Sequence, residues 1–586
     1  MGAAQSLPVP GAMMKKVCLF VILLSFSFFS ACEREQLREQ DDETTGEAAR
    51  EEVAEDIPSP YDEPDVDPIF PEDMGPPAPA IYFTAGLKGY TEPCGCTADV
   101  LLGGIDRITA FGLDSMALHE EALFIDAGDW LFEFAELPDH MHPQERAKAK
   151  VLAEAHRRLG TLFSVPGDRD FALGVEFYAE MMGLAEMKVL SSNLEWEESV
   201  AQTSVVVDFE EYRIRFVGIT SPEMVKHVSG LQVKEPLEGL ERALSSADDE
   251  DVIVLIFQGR AEDATALVEA LPKIDIVILG HDPVLSEDSR DLAGRPGFEA
   301  HDQGRYVGRL KLYQVDQEGP FFNARRGIDD QRKSLRAQIS NVEQDLRVLE
   351  VRTGGERNPL MERLEERLEG LREDQRKIMR TGIELTEGER IYLFDLIPME
   401  PGFRLDEEMR ELRRQYNRSL PELNRDLQRE VPPVEEGQPF FIGTAECAVC
   451  HGDAHRFWEE TRHASAVATL TVRDKDYDQN CIGCHVVGWE EPGGSVLGKL
   501  VYEAELAGRT FEKDLRNVGC ESCHGAGSNH RLQPLGSDGI AQHIIRHPTE
   551  AQCTSCHVPE HSPRFDFDVY VQRITGEGHE LRAREE

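Results

Sequence analysis

Between residues 80 and 322, short apolar runs alternate with longer segments of helical periodicity. The runs are rich in β-branched and aromatic residues, and several are apolar at consecutive positions, which is typical of strands covered on both faces. Nine runs are predicted as strands: residues 81–84, 122–125, 162–165, 189–190, 204–209, 212–217, 252–257, 274–279 and 309–314. Because strands alternate with helices, this segment is predicted to be an α/β domain.

Residues 323–436 are predicted to form a helical hairpin followed by linker helices. Apolar residues recur at intervals of three and four on both sides of Thr353-Gly354-Gly355, where the glycines permit the chain to reverse. The members of this apolar seam are Leu335, Ile339, Val342, Leu346, Leu349, Leu364, Leu368, Leu371 and Ile378. This coiled-coil insert is predicted to be a spacer or a dimerisation element.

Residues 1–32 have the pattern of a secretion signal. Lys15 and Lys16 precede a largely apolar stretch of 13 residues, which is too short to span a bilayer as a helix. The stretch ends in Ser30-Ala31-Cys32, which resembles a bacterial lipobox with Cys32 as the lipidated residue; cleavage by an ordinary signal peptidase is the alternative. We therefore expect an exported chain with an N-terminal lipid anchor on the periplasmic side of a bacterial membrane.

Residues 33–79 are predicted to be an acidic, disordered tether. Seventeen Asp or Glu and three Arg lie between residues 33 and 73, and such one-sided charge with few apolar residues cannot bury a core.

The whole chain is strongly acidic, with 62 Lys and Arg against 110 Asp and Glu. This balance argues against nucleic acid as a partner, because phosphate binding requires positive charge. It is consistent with a solubilising surface or with attraction of a basic redox partner.

Residues 437–578, which precede a short tail at 579–586, contain four Cys-x-x-Cys-His motifs. Two thiols one helical turn apart can bond the two vinyl groups of a haem, and the adjacent histidine can then bind the iron. The cysteines are Cys447, Cys450, Cys481, Cys484, Cys520, Cys523, Cys553 and Cys556, and the proximal histidines are His451, His485, His524 and His557. Zinc also binds Cys-x-x-Cys pairs, but it does not require a histidine after every second cysteine. The motifs therefore predict four covalently bound haems c.

The second axial ligands can be limited by composition. No methionine lies between Gln438 and Glu586, so the domain can offer only histidine or an open position at each iron. The remaining candidates are His455, His463, His530, His543, His547, His561 and His579. His463 and His530 are the favoured candidates.

The C-terminal quarter of the chain resembles the tetrahaem cytochrome c554 family. The resemblance lies in Cys447-Ala-Val-Cys-His, in Thr461-Arg-His-Ala-Ser-Ala, in Cys520-Glu-Ser-Cys-His-Gly-Ala-Gly-Ser-Asn-His and in His561-Ser-Pro-Arg-Phe. It implies a mostly α-helical domain with closely stacked haems, mostly bis-histidine and sometimes including a five-coordinate one, that exchange electrons with envelope redox partners.

The α/β domain resembles calcineurin-like phosphoesterases of the 5'-nucleotidase type. Phe124-Ile-Asp-Ala-Gly-Asp129, Pro166-Gly-Asp168 and Leu279-Gly-His281 stand where those enzymes carry the ligands of two metal ions, which activate water against a phosphate ester. Several ligands that the resemblance implies are replaced: Gly86-Leu-Lys88, Arg169, Gln258 and Pro283 stand in their places. Only Asp129, Asp168 and His281 are left as candidate ligands, so hydrolysis is predicted to be lost.

Cys94-Gly-Cys96 follows the first predicted strand, where part of that metal site would lie. It resembles a branch of the same superfamily that carries Cys-Gly-Cys, in some members with selenocysteine first. Two closely spaced thiolates favour zinc or copper(I), or they can cycle between dithiol and disulfide; inert buried cysteines are the alternative. We expect Cys94, Cys96, Asp129 and His281 to share one cleft.

These features predict a multidomain protein: a metallophosphoesterase-like α/β sandwich, a helical insert and a mostly α multihaem cytochrome. Electron transfer is the leading interpretation of its function. The alternatives are a haem enzyme that reduces a small nitrogen or oxygen species, a residual metal-dependent nucleotidase, and a non-catalytic binding domain on an electron carrier.

Overall fold

The computed structural model describes residues 75–94, 102–119, 121–197, 201–248, 251–281, 285–353, 357–424, 430–536, 542–558, 561–562, 565–576 and 579. The predicted signal, the lipidation site Cys32 and almost all of the tether lie outside the described residues, as do Cys96 and Pro283. Among the described residues, no helix combines the length and the apolar character that a membrane crossing requires.

The described residues of the α/β domain form seventeen strands, and the nine predicted strands coincide with members of this set within a few residues. They are β1 Ala80–Thr84, β2 Pro93–Cys94, β3 Leu102–Gly103, β4 Ala122–Asp126, β5 Phe163–Ser164, β6 Lys188–Val189, β7 Leu194–Trp196, β8 Val205–Asp208, β9 Arg213–Thr220, β10 Leu231–Val233, β11 Val252–Gln258, β12 Ile276–Leu279, β13 Arg290–Leu292, β14 Arg295–Phe298, β15 Tyr306–Tyr313, β16 Phe321–Asn323 and β17 Arg390–Pro398.

Nine α-helices accompany these strands in the described part of the chain. They are α1 Ile105–Leu118, α2 His142–Leu159, α3 Val175–Leu184, α4 Pro222–Val225, α5 Pro236–Leu244, α6 Ala261–Ala270, α7 Asp329–Arg352, α8 Pro359–Thr381 and α9 Glu407–Leu423.

Two sheets pack face to face at the centre of the domain. The first has seven strands in the order β16-β17-β15-β1-β4-β5-β6, and the second has six in the order β13-β14-β12-β11-β9-β8. Their facing side chains, such as Ile81 and Phe83 of β1 and Phe216 of β9, form one buried core. The outward side chains of β1 instead pack against α1 and α2, and those of β11 against α5 and α6. The result is a four-layer helix–sheet–sheet–helix sandwich, and this part of the predicted fold class is confirmed.

The first sheet extends past residue 322, the predicted limit of the α/β domain. Strand β17 lies in the segment predicted to be helical, yet it pairs antiparallel with β15 over eight residues, from Tyr306 opposite Pro398 to Tyr313 opposite Ile391. Its residues 391–395 are all buried. Helices α7 and α8 are thus an insertion between two strands of one sheet.

Helices α7 and α8 run antiparallel to one another. Arg372 donates to Glu343 at 3.0 Å, and the Thr353 hydroxyl lies 3.9 Å from the Met361 sulfur nearer the turn. Asn358 caps α8 by accepting hydrogen bonds from the amides of Leu360 and Met361. Few of the described side chains of the pair are buried, because most of its surface faces solvent.

The C-terminal segment consists of short helices around one β-hairpin. The hairpin, β18 Val501–Leu506 and β19 Arg509–Asp514, pairs over six residues and was not predicted. The helices are α10 Thr444–Ala448, α11 Gly452–Glu459, α12 Ala466–Thr471, α13 Gln479–Ile482, α14 Cys520–His524, α15 Ser528–Leu532, α16 Glu550–Cys553 and α17 Phe567–Ile574. Its apolar clusters are small, with three or four fully buried members each. The polypeptide alone therefore provides little core here.

Candidate functional site: an Asp–Arg–His cleft and four Cys-x-x-Cys-His motifs

The carboxyl end of β4 forms the floor of the cleft in the α/β domain. Asp126 ends the strand and accepts hydrogen bonds from Thr84 at 2.8 Å, Ser164 at 2.7 Å and the amide of Gly128 at 2.9 Å. Gly128 has a φ of 106°, and a Cβ there would lie 2.0 Å from the Val165 carbonyl oxygen. Only glycine fits this turn, which presents the next residue, Asp129, to the cleft.

Asp126 makes the stability of the fold depend on pH. Burial raises its pKa to about 6, although the donors from Ser164 and Thr84 oppose the shift. Between about pH 4 and pH 6 the folded state keeps this proton while the unfolded state releases it, so stability falls as pH rises, by about 3 kcal/mol in total. We expect Asp126→Asn to remove this loss, so that its thermal midpoint rises relative to wild type from pH 4.5 to 7.5. If the thermal midpoints of wild type and Asp126→Asn, measured by circular dichroism, change with pH in parallel, the raised pKa is wrongly assigned to Asp126.

Asp129, Arg169 and His281 form one bonded cluster in the cleft. Asp129 Oδ2 lies 2.9 Å from His281 Nδ1 and accepts a hydrogen bond of 2.9 Å from Arg169 Nη1, which is also 3.3 Å from His281 Nδ1. Burial tends to raise the pKa of Asp129, but the hydrogen bond from His281 and the charge of Arg169 hold it below its ordinary value. Asp129 is therefore an ionised carboxylate paired with a cation of the protein itself.

Asp168 completes the set of candidate ligands. One ligand atom each of Asp129, Asp168 and His281 lies within 4.8 Å of the others. The pKa of Asp168 is raised by burial and by the negative charge of Asp129, as expected of carboxylates that share a small space. The structure thus brings together the three residues that the sequence analysis retained.

The described residues of the cleft do not fit a two-metal centre. Only three donors converge there, and Arg169 is ion-paired with two of them, Asp129 at 2.9 Å and Asp168 at 3.9 Å. Two metal ions need more ligands than three, and a metal on Asp129 and His281 would have to displace the guanidinium. Gln258, at a position where the resemblance implies a metal ligand, is buried and donates its side-chain amide to the Ala127 carbonyl oxygen.

The Cys94-Gly-Cys96 segment is only partly described. The backbone of Cys94 pairs with Leu102 in the short ribbon of β2 and β3, whereas its side chain and the whole of Cys96 lie outside the described residues. The preceding loop lies beside the cleft, since the Lys88 amide donates to the Asp129 carbonyl oxygen at 2.8 Å.

Three of the four motif histidines in the C-terminal segment each face one histidine from outside the motifs. The ring centres of His451 and His530 are 6.3 Å apart, those of His557 and His463 are 6.3 Å apart, and those of His524 and His579 are 6.4 Å apart. An imidazole centre lies about 1 Å from its nitrogens and metal–imidazole bonds are about 2.0–2.1 Å, as at zinc, so two rings on opposite sides of one metal ion have centres roughly 6 Å apart. The separation of each pair therefore fits two histidines that would hold one haem iron between them.

Hydrogen bonds orient the rings for metal binding. The Nδ1 atoms of His485 and His524 lie 2.6 Å from the carbonyl oxygens of Ala466 and Ile545, and Nδ1 of His557 lies 3.0 Å from the Ser562 hydroxyl. A nitrogen that faces a carbonyl oxygen carries the proton, so Nε2 of His485 and of His524 keeps its lone pair for a metal.

His485, in the second motif, differs from the other three. Among the described residues it contacts no second imidazole; the group next to it, beside Ala466, is the Thr469 hydroxyl at 3.5 Å. The remaining candidates lie elsewhere: His455 packs against Trp458, His561 lies 6.4 Å from the ring of Tyr90, and His543 and His547 are exposed.

The motifs adjoin one another in two pairs. Interaction with the Cys520 thiol raises the pKa of Cys447, and interaction with the Cys484 thiol lowers the pKa of Cys556, so the first motif adjoins the third and the second adjoins the fourth. The buried carboxylate of Glu521, inside the third motif, accepts hydrogen bonds from the amides of Ile442, Gly443 and Gly527. It thereby fixes the third motif to the segment that leads into the first.

The comparisons with known proteins divide the chain in the same way. Residues 446–525 match the family described as cytochrome c554 and c-prime. Cytochrome c-554 of Nitrosomonas europaea is 31% identical over 106 residues, which cover 16% of this chain and 40% of that protein. The metallophosphoesterase YunD of Bacillus subtilis is 28% identical over 202 residues, which cover 33% of this chain and 42% of that protein. The chain thus spans about two fifths of the length of these curated relatives.

Among solved structures, the 5'-nucleotidase precursor of Thermus thermophilus aligns with 13% identity and a TM-score of 0.40, covering 78% of this chain and 92% of that one. The sequence matches show that the protein joins a metallophosphoesterase-like α/β domain to a C-terminal domain of the cytochrome c554 type.

Proposed function

We propose that this protein is an exported c-type cytochrome with four covalently bound haems, three of them held by two histidines each. The observation that carries the proposal is the spacing of the pairs His451–His530, His557–His463 and His524–His579, at 6.3 to 6.4 Å between ring centres. Haem bound at these motifs would supply one-electron redox chemistry at iron. The adjacency of first with third motif, and of second with fourth, supports electron exchange between neighbouring sites.

The iron at the second motif, bound by His485, is proposed to have an open or weakly held second axial position. The absence of a facing imidazole among the described residues supports this assignment. The same observation favours a second candidate function, reduction of a small nitrogen or oxygen species at that iron.

Export, anchoring and assembly are parts of the same proposal that rest on the sequence. The signal-like segment and Cys32 support a lipid anchor on the periplasmic side of a bacterial membrane, where envelope redox partners would meet the haems. The exposed surface of α7 and α8 supports a role as spacer or dimer contact.

The α/β domain is proposed to act without hydrolysing phosphate esters. Arg169 supports this view, because it supplies the positive charge beside Asp129 and His281 that a metal ion would otherwise provide. Cys94 and Cys96 remain candidates for a redox pair or for a site for zinc or copper.

Redox-titrated electron paramagnetic resonance on the full-length holoprotein tests the proposal. We expect four haems per chain by haemochrome absorbance, three low-spin signals and one high-spin signal in the oxidised protein. Fewer than four haems would contradict the attachment sites. Four low-spin signals would contradict the open position at His485 and, with it, the second candidate function.

A further inference from the structure

The segment before the second haem motif is built into the α/β domain. Gln144 of α2 donates to Asp478 at 2.7 Å and accepts from the amide of Gln479 at 3.1 Å and from Asn424 at 3.0 Å. Asn480 reaches Glu145 of α2 at 2.8 Å. Asn424 also donates to the carbonyl oxygen of Tyr477 at 2.8 Å, so the four residues 477–480 are bonded directly to α2 or to the end of α9.

A charge network crosses the same seam. Glu92, in the loop after β1, lies 3.5 Å from Lys475 and 3.2 Å from Arg413 of α9, and it accepts a hydrogen bond of 2.7 Å from Asn417. Lys475 also lies 3.0 Å from Asp478. The side chains of Lys475 and Glu92 are only 12% and 17% exposed. The α/β domain thereby places a carboxylate of its own inside the seam.

Burying these charges is not needed to join two domains. Removing an ion from water costs several kcal/mol, and apolar side chains of similar size often join surfaces as well or better. The seam already contains such contacts, since Tyr477 packs against the apolar core that includes Tyr416. The buried charges of Glu92, Lys475 and Asp478 are therefore better explained by the Cys-x-x-Cys-His motif that lies next to them.

The second Cys-x-x-Cys-His motif lies next to these charges. Cys481 comes three residues after Asp478 and one helical turn along α13, which Asp478 caps by accepting from the amide of Asn480 at 3.0 Å. The charges of Asp478, Lys475 and Glu92 all act at the Cys481 thiol, whose pKa is raised first of all by its burial. Electrostatic interactions at the Cys481 thiol are strong because the thiol is buried and little water screens them.

We propose that Glu92 of the α/β domain lowers the reduction potential of the haem attached at Cys481 and Cys484, whose iron His485 would bind, with Lys475 as the opposing charge. The inference rests on the proposed haem at this motif. A buried negative charge stabilises the ferric over the ferrous state, and net charge near a redox centre is one of the means by which proteins set its potential. Glu92 is thus a positioning and tuning residue for the second haem. Through it the α/β domain controls the one haem site without a facing imidazole among the described residues.

The test compares Glu92→Gln with wild type in the full-length holoprotein, by spectroelectrochemical titration followed with electron paramagnetic resonance. Glutamine keeps the shape and the oxygen that accepts from Asn417 but removes the charge. We expect the ferrous-to-ferric ratio of the second haem at a fixed ambient potential to rise about tenfold, which is about 59 mV for one electron. Lys475→Gln is expected to shift the same signal in the opposite direction.

Glu154→Gln is the matched control. It also removes one negative charge from the α/β domain, but Glu154 pairs with Arg157 on its own helix. If the haem at the second motif has the same midpoint potential in Glu154→Gln as in Glu92→Gln, the proposal is overturned. An equal shift of the midpoint potentials of all four haems would also overturn it.

The outcomes separate this inference from the proposed function. A wild-type protein without a high-spin signal would contradict the open position at His485. If the midpoint potential of only one of the four haems shifts, and shifts in opposite directions in the Glu92 and Lys475 variants, that result would still support the tuning role.

Discussion

Replacing His463 by alanine is expected to convert one low-spin haem into a high-spin one. His463 faces His557 of the fourth motif at 6.3 Å between ring centres, and the domain contains no methionine that could take its place. Loss of one imidazole from a bis-histidine iron weakens the ligand field and raises the potential, because two histidines favour the ferric state more than weaker ligands do. In the oxidised protein we expect one low-spin signal fewer and one high-spin signal more, while the haem content stays at four per chain.

His455→Ala is the matched control for this substitution. His455 lies eight residues away, also in the first half of the C-terminal domain, but it contacts Trp458 and lies 3.5 Å from Glu459 rather than facing a motif histidine. Its spectrum is expected to match wild type. If both variants keep all low-spin signals, or if the His455 variant alone changes, the pairing of His463 with His557 is wrong.

The attachment sites could be read from the sequence, but the pairing of histidines could not. Each Cys-x-x-Cys-His motif is local, because the two thiols and the histidine fit one haem through the geometry of a single helical turn. The facing histidines come from distant parts of the chain: His530 faces His451 of the first motif from 79 positions away, and His463 faces His557 of the fourth from 94 positions away in the other direction. Such pairs depend on tertiary structure, for which spacing carries no signal.

The α/β domain shows the same division between local and distant information. Nine of its strands were predicted from runs of apolar residues. Strand β17 was missed because the long helical insert separates it from β15, which ends at Tyr313, whereas β17 begins at Arg390. The sequence shows that Arg169 stands at a position where the resemblance implies a metal ligand. It does not show that Arg169 and His281 both bond Asp129, because those three residues come from three different strand ends. Glu92 and Gln144 belong to no motif, so the charged seam had no sequence signal at all.

The turn after β4 and the loop after β1 meet at the cleft of the α/β domain. The turn at Gly128 and the hydrogen bonds of Asp126 present Asp129 to the cleft, where the Arg169 guanidinium pairs with it at 2.9 Å. The loop after β1 contributes to both places: the Lys88 amide donates to the Asp129 carbonyl oxygen at 2.8 Å, and Glu92 lies 3.5 Å from Lys475, ahead of the second Cys-x-x-Cys-His motif.

Replacing Asp395 by asparagine is expected to destabilise the α/β domain by about 3–5 kcal/mol, because it leaves buried cations without a counter-charge. Asp395 of β17 lies 2.9 Å from Arg309 of β15 and 2.8 Å from Arg325, and all three side chains are almost fully buried. Burial alone would raise the pKa of Asp395, but the two guanidiniums hold it below its ordinary value. Its contribution is therefore present above the unfolded pKa and is lost as pH falls through the folded one.

Arg325 explains why this loss should reach the helical insert. It donates to the carbonyl oxygens of Met379, at the end of α8, and Phe394 of β17, and so joins both ends of the insertion to the sheet. Urea unfolding followed by circular dichroism measures the effect, with Asp114→Asn as control, since the Asp114–Arg404 pair is more exposed and is worth less than about 1 kcal/mol. Equal unfolding midpoints for the two variants would contradict the role of Asp395. A large loss in Asp395→Asn alone would show that one carboxylate holds two buried arginines, and through Arg325 the insert, against the central sheet.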